Sequence, residues 1–319
     1  MNKRIKIGFL VVLLILGISF SGFAQMQALS TLQSGVAAFS KTLAESLPFN
    51  STLGLNWSDA YIGQLLGVPP HFGVGISLGF TTMDLPIIKE MASLLGYSLP
   101  INIGKLIFPA YTAEGRIGGF ILPFDVGLKV GYLPPVGLFD FDINYLLVGA
   151  DIRYALLEGN VILPKISFGV GINYFSGGIG HNIGGTKNFN TGGGTVTVNG
   201  PDLNLKWDTT SLDFKAQISK SFLIITPYLG IGGSYAWSSA GYELKGNISP
   251  TDVLAIKSFF PNIDVDENGM SSMINDSAFS FRLFGGFSIN LTVFKIDFTG
   301  LYNFRDTNFG GSLGFRFQL

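Results

Sequence analysis

The chain has 319 residues, with 20 Lys+Arg against 21 Asp+Glu, 13% charged residues, 43 glycines and no cysteine. Balanced charge leaves no basic face for nucleic acid, and the lack of cysteine excludes a disulfide framework, thiolate metal sites and a lipid-modified cysteine after a leader. Beyond residue 24 there is no run of 18 apolar residues to make a transmembrane helix, so the hydrophobicity must lie at alternating strand positions.

At the N-terminus, Lys3, Arg4 and Lys6 precede an apolar run from Ile7 to Phe20, followed by Ser21-Gly22-Phe23-Ala24. That order predicts a secretory signal peptide over residues 1–24. Its apolar run, about 14 residues, is short for a membrane span. In residues 25–48, Met26, Leu29, Leu32, Val36, Phe39, Leu43 and Leu47 fall at helical spacing, and Pro48 is expected to end that helix.

From Phe72 the pattern has period two. Val74, Ile76, Leu78 and Phe80 alternate with small residues; Ile166, Phe168, Val170, Ile172 and Tyr174 do the same, as do Phe279, Phe281 and Leu283. Each such segment has one bulky apolar face and one small or polar face. The segments run to roughly 10–18 residues, against a usual 5–6 in soluble folds, and short connections alternate with long ones. The prediction is an all-β, antiparallel transmembrane β-barrel over residues 49–319 with short periplasmic turns and long external loops. Ten strands are expected, at 72–82, 112–121, 124–133, 141–156, 160–176, 205–220, 224–242, 277–290, 293–304 and 308–319. Twelve is the alternative, because Leu53, Leu55 and Trp57 also alternate. Within 141–156 the apolar phase changes, which predicts a β-bulge near Leu146 and Leu147.

The last residues, Ser312-Leu313-Gly314-Phe315-Arg316-Phe317-Gln318-Leu319, resemble the C-terminal insertion signal of bacterial outer-membrane β-barrels, with Gly314, Phe315, Phe317 and Leu319 at the characteristic positions. Leu319 stands where an aromatic residue is usual. The resemblance implies outer-membrane lipid and the barrel-insertion machinery as partners, and an outer-membrane location. A long N-terminal extension before the first strand also resembles the fatty-acid channel family, in which such a segment plugs the lumen. The Asn-Pro-Ala stretch of that family is absent, and the strand count is lower.

With bulky residues facing lipid, the lumen is expected to carry Glu114, Arg116, Asp125, Lys129, Asp142, Asp151, Arg153, Lys165, Asp213, Lys215, Arg282, Lys295, Asp297 and Arg316. Both signs are present, so these residues predict internal ion pairs rather than a ring of one charge. Gly73, Gly75, Gly79, Gly127, Gly131, Gly169, Gly171, Gly230, Gly232 and Gly286 share that face. They predict close approach of another group, residues 25–48 as a plug, or simply ease of curvature.

Asp264, Asp266 and Asn268 with Gly269 match the first half of a calcium loop spanning 264–276, but Asn275 occupies the position of the bidentate Glu; plain turn residues are the alternative. No other cofactor is implied. His71 and His181 pair with no Ser and carboxylate in the sequence, which argues against an enzyme. Leu85, Ile87, Ile88, Met91, Leu94 and Leu95 fit a short apolar helix in an external loop. Two readings of function follow. One is a channel or transporter for small or apolar solutes with a partly plugged lumen; the other is a closed barrel that acts through its external loops as an adhesin or antigen would.

Overall fold

The computed structural model describes residues 38, 40–84, 105–138, 141–182, 186–190, 195–259 and 264–319. The predicted signal peptide, the helical positions before residue 40 except 38, and the apolar loop from Leu85 to Leu95 lie outside the described residues.

The wall is built from β1 (Phe72–Asp84), β2 (Lys105–Gly118), β3 (Phe124–Leu138), β4 (Phe141–Leu157), β5 (Lys165–Asn182), β7 (Thr195–Ser219), β8 (Ile225–Ile248), β10 (Gly269–Leu291), β11 (Phe294–Asn303) and β12 (Phe309–Gln318). Each pairs antiparallel with the next, and β12 pairs with β1, which closes a ten-stranded barrel. Two short strands, β6 (Thr186–Asn190) and β9 (Asp264–Asp266), pair with the outer reaches of β7 and β10 and add nothing to the ring. Leu53, Leu55 and Trp57 are in no strand, so ten replaces the alternative of twelve.

The outward face is apolar throughout. Val74, Ile76 and Leu78 on β1, Leu128 and Val130 on β3, Phe168, Val170 and Ile172 on β5, and Phe279 and Phe281 on β10 are all exposed. A belt of that extent is unstable in water and matches the hydrocarbon of a bilayer. Tyr132, Tyr174, Tyr235, Trp237 and Tyr302 stand exposed toward its outer edge, the position of an aromatic girdle. At the other edge the strands are joined by the turns 119–123, 158–164, 220–224 and 292–293, and both ends of the barrel lie there: Leu319 N donates to Phe72 O at 3.0 Å. The insertion-signal residues form β12 itself, with Phe315 exposed on the lipid face and Phe317 between the rings of Phe72 and Phe294.

Three local expectations are corrected. The strands are taller than their apolar stretches: β3 reaches residue 138, β7 starts at 195 and β10 starts at 269, so much of the expected external loop is strand and the β3–β4 connection is 139–140 alone. Tall strands need alternation only within the membrane; above it, polar residues extend the ladder unseen. The bulge expected at Leu146 and Leu147 is absent, because β4 pairs with β5 in unbroken register from Phe141 to Ala155. The irregularity sits instead in β3, between Leu133 and Val136, where Pro134 and Pro135 have no N–H to donate. Without that bulge, Asp142 points outward and is exposed, apart from the lumen set in which it was expected.

The third correction concerns the N-terminal segment. A helix, α1, runs over residues 40–50, past Pro48 by two residues, with the turn closed by Ser51 N on Leu47 O at 2.9 Å. The chain then threads the barrel as an irregular segment, with Gly54, Leu55 and Gly63 at positive φ, before the turn that leads to β1. Residues 49–62 are buried and belong to the contents of the lumen, so the boundary expected at residue 49 moves to the loop before Phe72. The remaining helix, α2 (Pro250–Phe259), caps the external β8–β9 connection.

Candidate functional site: a filled lumen in two storeys

Residues 40–62 enter at the outer rim and leave at the short-turn end. Arg305, in the β11–β12 connection 304–308, donates to Glu45 at 3.3 Å at the outer end. At the other end Lys165 donates to Tyr61 O at 2.9 Å, and Ile62 N donates to Asp125. An irregular segment without a partner strand carries unsatisfied carbonyls, and each must find a donor when buried. The wall supplies them with cations. Lys129 donates to Ser51 O and Leu53 O at 2.7 and 2.5 Å, Lys215 to Leu55 O at 3.3 Å, and Arg153 to Asp59 O at 2.7 Å. Gln217 donates to Trp57 O and Ser58 O, and Tyr228 to Asn56 O.

The remaining charges pair within the wall. Asp125 takes Arg116 and Arg153; Asp151 takes Arg116 and Lys215; Asp213 takes both terminal nitrogens of Arg282 at 2.6 and 2.9 Å; Asp297 takes Arg316 at 2.6 Å. Glu114 accepts the indole N–H of Trp57 at 2.7 Å, and that ring lies 4.6 Å from the Arg316 guanidinium. Asp59 is the charge that the plug carries into the lower storey. It meets Lys295 at 2.6 Å, Arg316 at 3.1 Å and Lys165 at 3.8 Å. Burying a carboxylate alone is costly, and these three cations offset that cost. Thus every charged residue expected in the lumen, Asp142 excepted, is brought to the lower storey. Among the described residues, voids of about 10 Å³ lie beside Trp57 and Arg316 and beside Lys129 and Asp213, each with room for one water.

The upper storey is apolar. Leu43, Ala44 and Leu47 of α1, with Leu53, pack against Tyr145, Leu147, Phe175, Trp207 and Ala240 of the wall, with Phe108, Ala110, Leu133 and Ile179 around them. Phe49 packs on the opposite side with Tyr228, Phe284 and Leu301, at the level of the ion pairs, since Phe284 lies two residues nearer the short turns than Arg282 on β10. The phase change in β4 therefore marks a change of lumen contents. Tyr145 and Leu147 point inward, in line with Asp151 and Arg153 below them. Two glycines make room for the plug: a Cβ on Gly73 would come within 2.9 Å of the Trp57 ring, and one on Gly79 within 3.2 Å of Leu53.

One seam of the wall is unpaired. The β2–β3 ladder runs from Gly118–Asp125 up to Ala113–Val130 and stops, although β2 continues outward to Lys105 and β3 to Leu138. Pro109 on one edge and Pro134 and Pro135 on the other cannot donate. The Tyr145 hydroxyl takes the place of a partner strand, accepting from Tyr111 N at 2.8 Å and donating to Tyr111 O at 3.2 Å. Behind this seam lies the apolar storey.

The candidate calcium residues lie in the β9–β10 hairpin, where Asp266 pairs with Gly269 and its carboxylate accepts from Asn268 N at 2.8 Å. Among the described residues no three His, Cys, Asp or Glu side chains converge on a metal position. The His71 ring meets Leu319 O at 3.1 Å, and His181 lies at the outer end of β5. Sequence reasoning missed Asp59 and Trp57. The signal was there: Asp59 is the only charged residue between Ser46 and Pro70.

No family model and no curated protein matches the sequence. Solved structures do. The outer membrane protease OmpT of Escherichia coli is 12% identical, over 79% of this chain and 97% of that one, with a TM-score of 0.43. Ail, the attachment invasion locus protein of Yersinia pestis, is 13% identical over 78% and 99%, at 0.25. A Pseudomonas aeruginosa FadL homologue is 8% identical over 78% and 90%, at 0.25. The likeness is one of barrel architecture and goes no finer. From its closed ring, lipid-facing belt and turn pattern, the chain is an outer-membrane β-barrel, filled by its own N-terminal segment.

Proposed function

We propose that this barrel takes up small, largely apolar solutes from the outer leaflet through the β2–β3 seam, with the plug closing the way to the periplasm. The observation that carries this reading is the placement of the apolar storey directly behind the one unpaired stretch found in the barrel wall among the described residues. A water-filled pore for polar solutes would need an open, polar path, whereas the lower storey is packed with ion pairs. Outer-membrane lipid and the insertion machinery are the expected partners.

The native chain has no cysteine, so the seam can be bridged selectively. Ala110 and Leu133 flank it on the inner side. In the double variant Ala110→Cys, Leu133→Cys, a short bis-thiol linker should stop uptake of an apolar tracer into proteoliposomes while single-cysteine controls continue. Uptake that persists across the bridged seam would overturn the reading. A closed barrel acting through its external loops is favoured by one observation, the height of β7, β8 and β10, at 25, 24 and 23 residues. Its mark would be no uptake by the native protein at all.

A further inference from the structure

The tips of the short turns are apolar. Ile121, Ile162 and Leu223 stand on the turns 119–123, 158–164 and 220–224, and they are 82%, 85% and 101% exposed. Glu158 and Lys220 are the only charged residues in these three turns. Exposed apolar surface of this extent marks a contact with a partner. The turns join β2 to β3, β4 to β5 and β7 to β8, and Leu66 before β1 and Phe294 after the turn 292–293 are exposed as well. The apolar tips therefore run right round the end of the barrel and are not gathered on one side.

Two observations identify the partner. The first is how the turn backbones are satisfied. Lys220 donates to Asn160 O, Val161 O and Leu163 O at 2.9, 2.7 and 3.1 Å, and Gln64 donates to Ile121 O at 2.8 Å. Leu65 N donates to Gly119 O, and the Asn160 side chain accepts from Ile162 N and Leu163 N. Water would serve these groups on an aqueous turn, whereas hydrocarbon demands a protein partner for each. The second is height. From the outer aromatic residues to the strand ends, Tyr132 to Phe124, Tyr174 to Ile166 and Tyr302 to Phe294 each span eight residues, and Tyr235 to Ile225 spans ten. At about 3.3 Å per residue and a tilt of about 40°, these runs stand about 20–25 Å tall, no more than the apolar band of about 25 Å that a barrel needs. We propose that the short turns are seated in the inner leaflet of the membrane, with their apolar tips among the acyl chains as the lowest course of the lipid-facing belt. A protein partner would cover one side of this end, whereas lipid meets it all round. The seating is a property of the empty or loaded barrel alike and is independent of what the barrel carries.

The chain has no cysteine, so single cysteines can report depth. Ile121→Cys, Ile162→Cys and Leu223→Cys would each be labelled with a nitrobenzoxadiazole dye in the barrel folded into phosphatidylcholine vesicles. Asn268→Cys, in the external β9–β10 hairpin, is the water-exposed reference. The three turn labels should emit to the blue of the reference, be quenched by a lipid carrying a nitroxide on its acyl chain, and resist iodide present on both sides of the membrane. Turn labels that iodide quenches as fully as the reference would overturn the proposal. So would labels shielded from iodide yet untouched by the nitroxide lipid, because a second copy of the chain would then cover the end. A label-free measurement stands beside these. The triple variant Ile121→Asp, Ile162→Asp, Leu223→Asp should lower the urea midpoint for unfolding from vesicles, since charge on a lipid-facing position destabilises a barrel. A midpoint equal to the native one or above it places the turns in water and sinks the idea.

Discussion

Asp59 of the plug and Lys295 of β11 meet at 2.6 Å inside the lumen, and two further cations, Arg316 and Lys165, close on the same carboxylate. This is the buried charge tie of the N-terminal segment; its other, Glu45 with Arg305, lies at the outer rim. Replacing Asp59 with Asn keeps the shape and removes the charge. Breaking a buried ion pair from one side costs about 3–5 kcal/mol because the partner charges stay buried. Asp59→Asn should therefore lower the temperature at which the folded barrel is lost on heat-modifiability gels. It should also produce conductance bursts in planar bilayers where the native protein is silent. A silent variant with native heat resistance would mean the plug is seated by its apolar contacts alone.

The sequence shows how far patterning reaches. Alternation in β1, β5 and β10 placed the lipid face correctly, because one face must be apolar and the other was small or charged. It failed in β4, where Ile143, Tyr145 and Leu147 are apolar and inward-facing. Period two reports a difference between faces; it cannot say which is inside when the lumen holds an apolar helix. The same limit hid the plug. Leu53, Leu55 and Trp57 alternate in sequence, but the chain turns at Gly54 and Leu55, both at positive φ, and all three side chains are buried among wall residues rather than beside a neighbouring strand. The ion pairs were legible as a mixture of signs, whereas their division between wall carboxylates and plug carbonyls needed the fold.

The phase of β4 can be tested on neighbouring residues. Leu147 is fully buried against the plug, and Val148 is 41% exposed on the lipid face. Leu147→Ala should cost about 2–5 kcal/mol, as for a buried Leu that leaves a cavity. Val148→Ala should cost less than about 1.5 kcal/mol, since it removes two half-exposed methyl groups. Urea unfolding in lipid vesicles would compare them. A Leu147→Ala cost no larger than that of Val148→Ala would remove Leu147 from the contact with the plug.

Removal of the plug should leave the lumen wall with an uncompensated excess of cations. Among the wall residues in the lower storey, Arg116, Lys129, Arg153, Lys165, Lys215, Arg282, Lys295 and Arg316 are cationic, against Glu114, Asp125, Asp151, Asp213 and Asp297. The cation excess is used on the plug: Lys129 binds Ser51 O and Leu53 O, Lys165 binds Tyr61 O, and Asp59 answers Lys295 and Arg316. A chain that keeps residues 1–24 but lacks residues 25–64 should insert as an open pore lined by unanswered cations, and such a lining selects anions. In a tenfold potassium chloride gradient its reversal potential should lie toward the chloride equilibrium value, and high salt should reduce the preference by screening. A cation-selective or unselective pore would show that the wall carboxylates, once released from Arg116, Arg153 and Arg282, dominate the lumen instead.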